Sequence, residues 1–339
     1  MSTVTPATAT ATAEPEPPRT GTAAQDPADR VFRVGARGAG ALVLVIMTLV
    51  GVFLAVRAAQ ALGEAGGSFV TTPAWEPDSR RFGIAAVLPG TVLIGLTAIG
   101  LAVPLALGTA LYITEYAPRR LRRTLVSLVD LMAAVPSVVY GLWGFFFLQP
   151  HITGLSRWLS TYLGWIPLFT VNGADPDDPL APATVYTSST FIAGVVVALM
   201  VTPIACSVMR EAFAQAPPGE REGAFALGAS QWGVIRTVVL PFGKGGIIGG
   251  TMLGLGRALG ETIAVVMIIS PVFVFQPHIL ENGANSVSAL IALRYGAASP
   301  FGMSALMAAG LSLFLMTLVV NFVASSVVAR SRSGTGAEA

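Results

Sequence analysis

The sequence predicts an all-α membrane protein with six transmembrane helices, and three observations predict it. Hydrophobic residues make up 53% of the 339-residue chain, while Asp, Glu, Lys and Arg make up only 11%; a soluble domain carries about 25% charged residues. Six apolar runs are each long enough to cross a hydrocarbon core of about 30 Å, which takes about 20 helical residues. The basic residues gather in alternate flanks of those runs, as topogenic charge does. A net formal charge of +2 gives no ground for a nucleic-acid partner. The single cysteine, Cys206, excludes an internal disulfide framework and any multi-cysteine metal site, and two histidines, His151 and His278, leave little imidazole chemistry, so no metal and no cofactor is expected.

Residues 1–29, with tracts such as ATATATAEPEPP, hold almost nothing that could form a core and are expected to be a disordered tail. No signal peptide is expected, because the first apolar run begins near Gly38, continues for a full span and is followed by no small-residue cleavage pattern. The six runs lie near Gly38 to Val56, Gly83 to Thr114, Thr124 to Leu148, Phe191 to Met209, Gly246 to Val274 and Met303 to Val328, within a six-helix transmembrane domain of residues 30–330 ahead of a short tail, 331–339. Pro89, Pro104, Pro136 and Pro203 lie inside them, which membrane helices tolerate when neighbours re-satisfy the freed backbone groups. The second run has 32 residues without a charge, so tilt or a break near Pro89 or Pro104 is expected.

Counting flanking Arg and Lys gives fourteen on one side (Arg19, Arg30, Arg33, Arg37, Arg119, Arg120, Arg122, Arg123, Arg210, Arg221, Arg236, Lys244, Arg330, Arg332) and five on the other (Arg57, Arg80, Arg81, Arg157, Arg294). Both termini are therefore expected in the cytoplasm. The cluster Arg119 to Arg123 reads more simply as topogenic charge than as a lipid or nucleic-acid site. Outside, residues 149–190 hold an acidic turn (Asp175 to Pro179) and the positions Leu155, Trp158, Leu159, Tyr162 and Leu163, one face of a helix. A short aromatic helix at the outer interface is the simpler reading, and a docking surface for an external partner the sharper one. Ser286 to Tyr295 is expected to form another short external or re-entrant helix. Glu115 and Asp130, near span ends, are expected to be solvated or capping, and His278 and Glu281 to be external without a matched partner.

The cytoplasmic loop, about residues 211–245, is too long for a hairpin. Pro217, Pro218 and Gly219 break the preceding helix, Glu220 and Glu222 open a new one at its positive end, Gly228 stops it, and Ser230 caps a second over Gln231 to Leu240, with Pro241 at the next boundary. The run Glu222-Gly223-Ala224, three residues, Gly228, nine residues, Val238-Val239-Leu240-Pro241 resembles the EAA loop of ABC importer permeases, whose pattern is E-A-A, three residues, G, nine residues, I-x-L-P. Gly223 and Val238 depart from it, and Gly223 costs the short helix about 1 kcal/mol relative to Ala. The resemblance implies an ABC importer type I permease fold. It also implies that this loop is a coupling helix seated on a separate ATPase subunit through Glu222, Ala224, Gly228, Leu240 and Pro241.

Two further segments, Val135-Pro136-Ser137-Val138-Val139-Tyr140-Gly141 and Gly256-Arg257-Ala258-Leu259-Gly260-Glu261-Thr262-Ile263-Ala264-Val265, resemble the PstC-type branch of phosphate-specific transporters. The related PstA-type branch typically reads Ala-Pro after Gly-Glu-Thr. The resemblance, from about Asp29 to Arg330, implies inward transport of the phosphate anion across a bacterial-type cell membrane. The implied partners are a PstA-type permease subunit, two ATPase subunits and an external phosphate-binding protein. Molybdate, tungstate or sulfate would suit the same fold, and a proton-coupled phosphate carrier using Glu261 is an alternative of another class. The EAA spacing counts against that carrier.

The fifth span supports a transport site on its own residues. At 100° per residue from Gly246, Gly250, Gly254, Arg257 and Glu261 lie at about 40°, 80°, 20° and 60°, a single face. Glycines at four-residue spacing admit another helix closely. Arg257 and Glu261, at i and i+4, are placed to pair, either as a structural bridge or as a substrate contact in which the guanidinium fork meets a tetrahedral oxyanion. Burying such a pair for stability alone gains little. No G-x-x-x-x-G-K-[ST] occurs, and Gly243-Lys244-Gly245 lacks the flanking residues, so no catalytic residue is expected and ATP hydrolysis falls to other subunits.

Overall fold

The computed structural model describes residues 27–172 and 182–332. Most of the tail at 1–29, the acidic turn Asp175 to Pro179 and residues 333–339 lie outside the described residues. The chain forms two units, residues 1–50 and 51–339. In the first, the described residues are the leading part of α1 (Pro27–Ala65), an apolar helix that contains the whole first expected span.

In the second unit α1 ends and a small hairpin follows, β1 (Trp75–Glu76) against β2 (Arg81–Phe82), antiparallel with Trp75 opposite Phe82. Then come α2 (Val87–Tyr116), α3 (Arg119–Ala134), α4 (Ser137–Leu163), α5 (Thr190–Ala214), α6 (Pro218–Ala226), α7 (Gln231–Gly260), α8 (Ile263–Ile268), α9 (Val287–Arg294) and α10 (Pro300–Arg332). Among the described residues, α1, α2, α5, α7 and α10 are each long and apolar enough to cross a membrane, and the bent pair α3–α4, taken together as one span, brings the number to six.

The core forms around α5. Ala98, Ala102, Ala106 and Ala110 of α2 are fully buried and cluster with α5. Such four-residue rows of small side chains let membrane helices approach closely where no hydrophobic driving force separates helix from lipid. Gly194 answers from α5, since a β-carbon there would lie 2.5 Å from Thr97 Cγ2. A second cluster joins the end of α1 (Ala58, Ala61) to the hairpin (Trp75, Phe82), α9 and α10. There Ser304 Oγ accepts from the Ala61 amide and donates to the Arg57 carbonyl.

The chain departs from the sequence expectations at three helices. The long second run keeps its helix unbroken through Pro104 and remains 30 residues long from Val87 to Tyr116; Gly83 packs instead against the backbone of Phe69 and Thr72. The third run is broken: Val135 is extended, as a residue before proline prefers, and α3 and α4 meet at 89°. The aromatic outer helix exists only as the continuation of α4, which exposes Leu155, Trp158 and Tyr162 and buries Ile152, Ser156 and Ser160. The fifth run is interrupted as well, because α7 begins at Gln231, stops at Gly260 and gives way to the six-residue α8. Its start absorbs Pro241. A wide π-turn at Ile235–Val239, with the Leu240 amide donating to the Ile235 carbonyl, carries the helix past the proline, so the second helix of the loop is the base of the fifth span.

Candidate functional site

Through Ser230 the loop at the basic end follows the expected breaks, while the expected boundary at Pro241 is absent because α7 continues to Gly260. α6 opens on Pro218, and its terminal carbonyls are closed by the Gly228 amide on Phe225 O at 2.9 Å and the Ala229 amide on Ala224 O at 3.1 Å. Gly228 holds φ +85°, a left-handed turn that a side chain would strain. Ser230 Oγ then accepts from the Gly233 amide at 3.2 Å and starts α7. The resulting knob presents Glu222, Phe225, Leu227 and Trp232 outward, Leu227 at 91% exposure. Ala224 and Leu240 are half-buried beneath, and Pro241 is exposed.

Beneath the knob lies a contact the sequence did not suggest. Glu115, in the wide turn that closes α2, has a side chain only 3% exposed and pairs with Arg221 of α6, Nη1 to Oε2 at 3.1 Å. Arg221 Nη2 also donates to the Phe213 carbonyl at 2.7 Å, and Gln231 Nε2 donates to the Glu115 carbonyl at 3.3 Å. Glu115 is therefore neither solvated nor a cap. The one visible signal was a carboxylate closing a long uncharged run, but its partner lies 106 residues away, beyond any local pattern.

At mid-chain the glycine face and the charged pair separate. Gly250 and Gly254 pack on α5, where added β-carbons would lie 2.9 Å from Ala205 O and 2.6 Å from Val201 Cγ1, and Gly246 meets Ala212. Arg257 and Glu261 do not pair, because the helix that would align them ends between them. Glu261 takes an extended backbone (ψ 129°) and turns inward. Its Oε1 accepts from the Ala264 amide at 3.3 Å, starting α8, and its carbonyl accepts from Ser288 Oγ of the α9 turn at 2.7 Å. Arg257 is exposed on a groove of about 540 Å³ lined by Ile204, Gly249, Met252, Leu253, Gly256 and Asn321. Among the described residues no carboxylate lines it.

The two motif segments meet at this break: a β-carbon on Gly141 would lie 3.0 Å from Ala264 Cα, so α4 and α8 approach backbone to backbone. At the opposite end His278 and Glu281 do find partners. His278 Nδ1 lies 2.6 Å from Thr170 Oγ1 and 2.9 Å from the Pro167 carbonyl, while Glu281 Oε2 accepts from Asn172. Both tie the segment after α8 to the segment after α4, a structural use.

Residues 100–333 match the family described as a binding-protein-dependent transport system inner membrane component. The chain belongs to this family. Within it, the chain is 36% identical over 312 residues to the phosphate transport system permease protein PstC 2 of Mycobacterium bovis, covering 90% of this chain and 93% of that protein. It is 37% identical over 317 residues to PstC of Mycobacterium leprae, covering 92% and 97%, and 36% identical over 304 residues to PstC of Xylella fastidiosa, covering 89% and 91%. The permease of a bacterial alginate ABC transporter, solved with an alginate-bound periplasmic protein, shares the fold at TM-score 0.56 and 18% identity, over 89% of this chain and 95% of that one. The chain is thus a multi-pass permease subunit of the PstC type from an ABC importer. A partner permease, ATPase subunits and a binding protein complete such a transporter, and ATP hydrolysis resides in the ATPases.

Proposed function

We propose that this permease carries inorganic phosphate into the cytoplasm, with Arg257 contacting the anion on its way. The observation that carries the reading is the Arg257 groove: a guanidinium on a membrane-spanning helix, free of any ion pair among the described residues, on a surface without a carboxylate. A charge at that depth is costly unless something compensates it. A tetrahedral oxyanion meets the guanidinium fork with two hydrogen bonds. That the similar curated proteins are phosphate permeases supports phosphate over molybdate, tungstate or sulfate. Glu261 is committed to capping α8, which argues against a proton-coupled carrier built on it.

The remaining assignments follow the same reading. The partner permease is of the PstA type, two ATPase subunits sit in the cytoplasm, and an external phosphate-binding protein delivers the substrate. The knob at α6 docks an ATPase through Glu222, with Ala224 and Leu240 supporting it from below, Gly228 setting its turn and Pro241 exposed on the helix that carries Leu240. Both termini are cytoplasmic. Reconstitution of the complex in liposomes, with phosphate, sulfate and molybdate offered in turn, is the test. ATP-dependent uptake of phosphate that survives collapse of the proton gradient is expected. Uptake that prefers another oxyanion would replace the substrate, and uptake driven by the gradient alone would overturn the reading.

A further inference from the structure

We propose that Glu115 and Arg221 form the strut through which the docked loop moves the membrane helices, a positioning pair for transport. The proposal rests on the loop being the ATPase-docking segment. α6 has no fully buried residue of its own, so apolar packing holds it only weakly, and polar ties act beside the chain connections at its two ends in carrying the motion it receives. Those ties converge on Glu115. Arg221, just before Glu222, reaches the Glu115 carboxylate from one half of the knob, and Gln231, beyond the Gly228 turn, holds the Glu115 carbonyl from the other half.

The strut reaches three spans. Glu115 closes α2, and the Phe213 carbonyl that accepts from Arg221 lies in the last turn of α5. The Phe213 ring covers Gly243 of α7, where an added β-carbon would collide with it. A displacement of Arg221 is therefore felt at the basic ends of α2, α5 and α7 together. Stability is a poor explanation for the pair. Burial of charge is offset only by complete hydrogen bonding, yet Glu115 Oε1 and Arg221 Nε find no hydrogen-bond partner among the described residues. What the pair supplies is a fixed geometry.

The complete transporter, purified with its partner permease and ATPases, tests this with Glu115→Leu and Arg221→Met combined, which leaves no buried charge unpaired. The ATPases are expected to co-purify in wild-type amount and to hydrolyse ATP. Phosphate uptake per ATP is expected to fall about tenfold, an ordinary size for coupling between sites. Wild-type uptake per ATP overturns the strut. Loss of the ATPases from the complex also overturns it, since the pair would then only shape the docking surface. If the double variant does not assemble, Arg221→Lys decides: an ammonium can keep Glu115 partnered but cannot fork to the Phe213 carbonyl as well. Reduced uptake per ATP with ATPases bound supports the strut, and unchanged uptake per ATP overturns it. The docking reading fails separately, if Glu222→Lys retains both the ATPases and uptake.

Discussion

Periodicity puts Arg257 and Glu261 on one face, and a single break at Gly260 sends them to different tasks. Glu261 becomes the cap of α8, its carbonyl accepting from Ser288, while Arg257 is left on the groove, whose lining also includes Asn321. Replacing Arg257 by Gln removes a charged fork whose contact with an anion is worth about 1.5–3 kcal/mol, so phosphate uptake should fall about 10- to 100-fold with assembly and ATPase binding unchanged. Lys should recover part of that loss, as a point charge without the fork. Because no ion pair links the two residues, the double change to Gln at Arg257 and Glu261 should not restore uptake. Transport in the three variants at matched expression checks this, and full uptake by the double variant would remove the anion contact.

At the scale of elements, the knob was legible because each of its boundaries is set by one residue with one conformational reason. Gly228 supplies a positive φ, Ser230 a capping oxygen and Pro218 a first-turn φ. The broken spans were not legible as breaks: Pro136 biases Val135 toward extended backbone, but hydropathy runs straight through Val135-Pro136 and Glu261-Thr262, and since α2 and α5 continue through Pro104 and Pro203, tertiary contact decides whether a helix yields. Glu115 to Arg221 was hidden for the same reason. Two expectations follow for the knob. Nothing lies within 4 Å of a β-carbon added at Gly223, so Gly223→Ala should steady α6 by about 1 kcal/mol, seen as slower amide exchange over residues 218–226 with uptake retained. Glu222 is exposed, and reversing an exposed charge changes folding by less than about 0.5 kcal/mol. Glu222→Lys should therefore leave the permease folded and release the ATPases in co-purification, with uptake lost, and retention of both would exclude Glu222 from the interface.

For the whole molecule the basic residues sort by end, and their surroundings differ. Arg80 pairs with Glu64 at 3.0 Å and lies 4.1 Å from the Phe301 ring centre, and Arg294 lies over Phe273 at 5.7 Å, so charges of the sparse set are absorbed locally. Arg119, Arg120, Arg122 and Arg123 at the other end are exposed on the first turns of α3 with no acidic residue in the first turn, a placement unfavourable to the helix dipole and suited to the anionic cytoplasmic face of a membrane. By the fourteen-to-five count of basic residues in the sequence, the knob and both termini are expected inside. Cysteine labelling of intact cells with an impermeant maleimide decides it, and the native Cys206, at 0% exposure, should stay silent. A cysteine replacing Trp165, which is 79% exposed beyond α4, should label from outside, whereas one replacing the exposed Gln215 at the end of α5 should label only after the cells are opened. The reverse pattern would invert the orientation, put α6 on the side without ATP, and with it remove the docking role of Glu222.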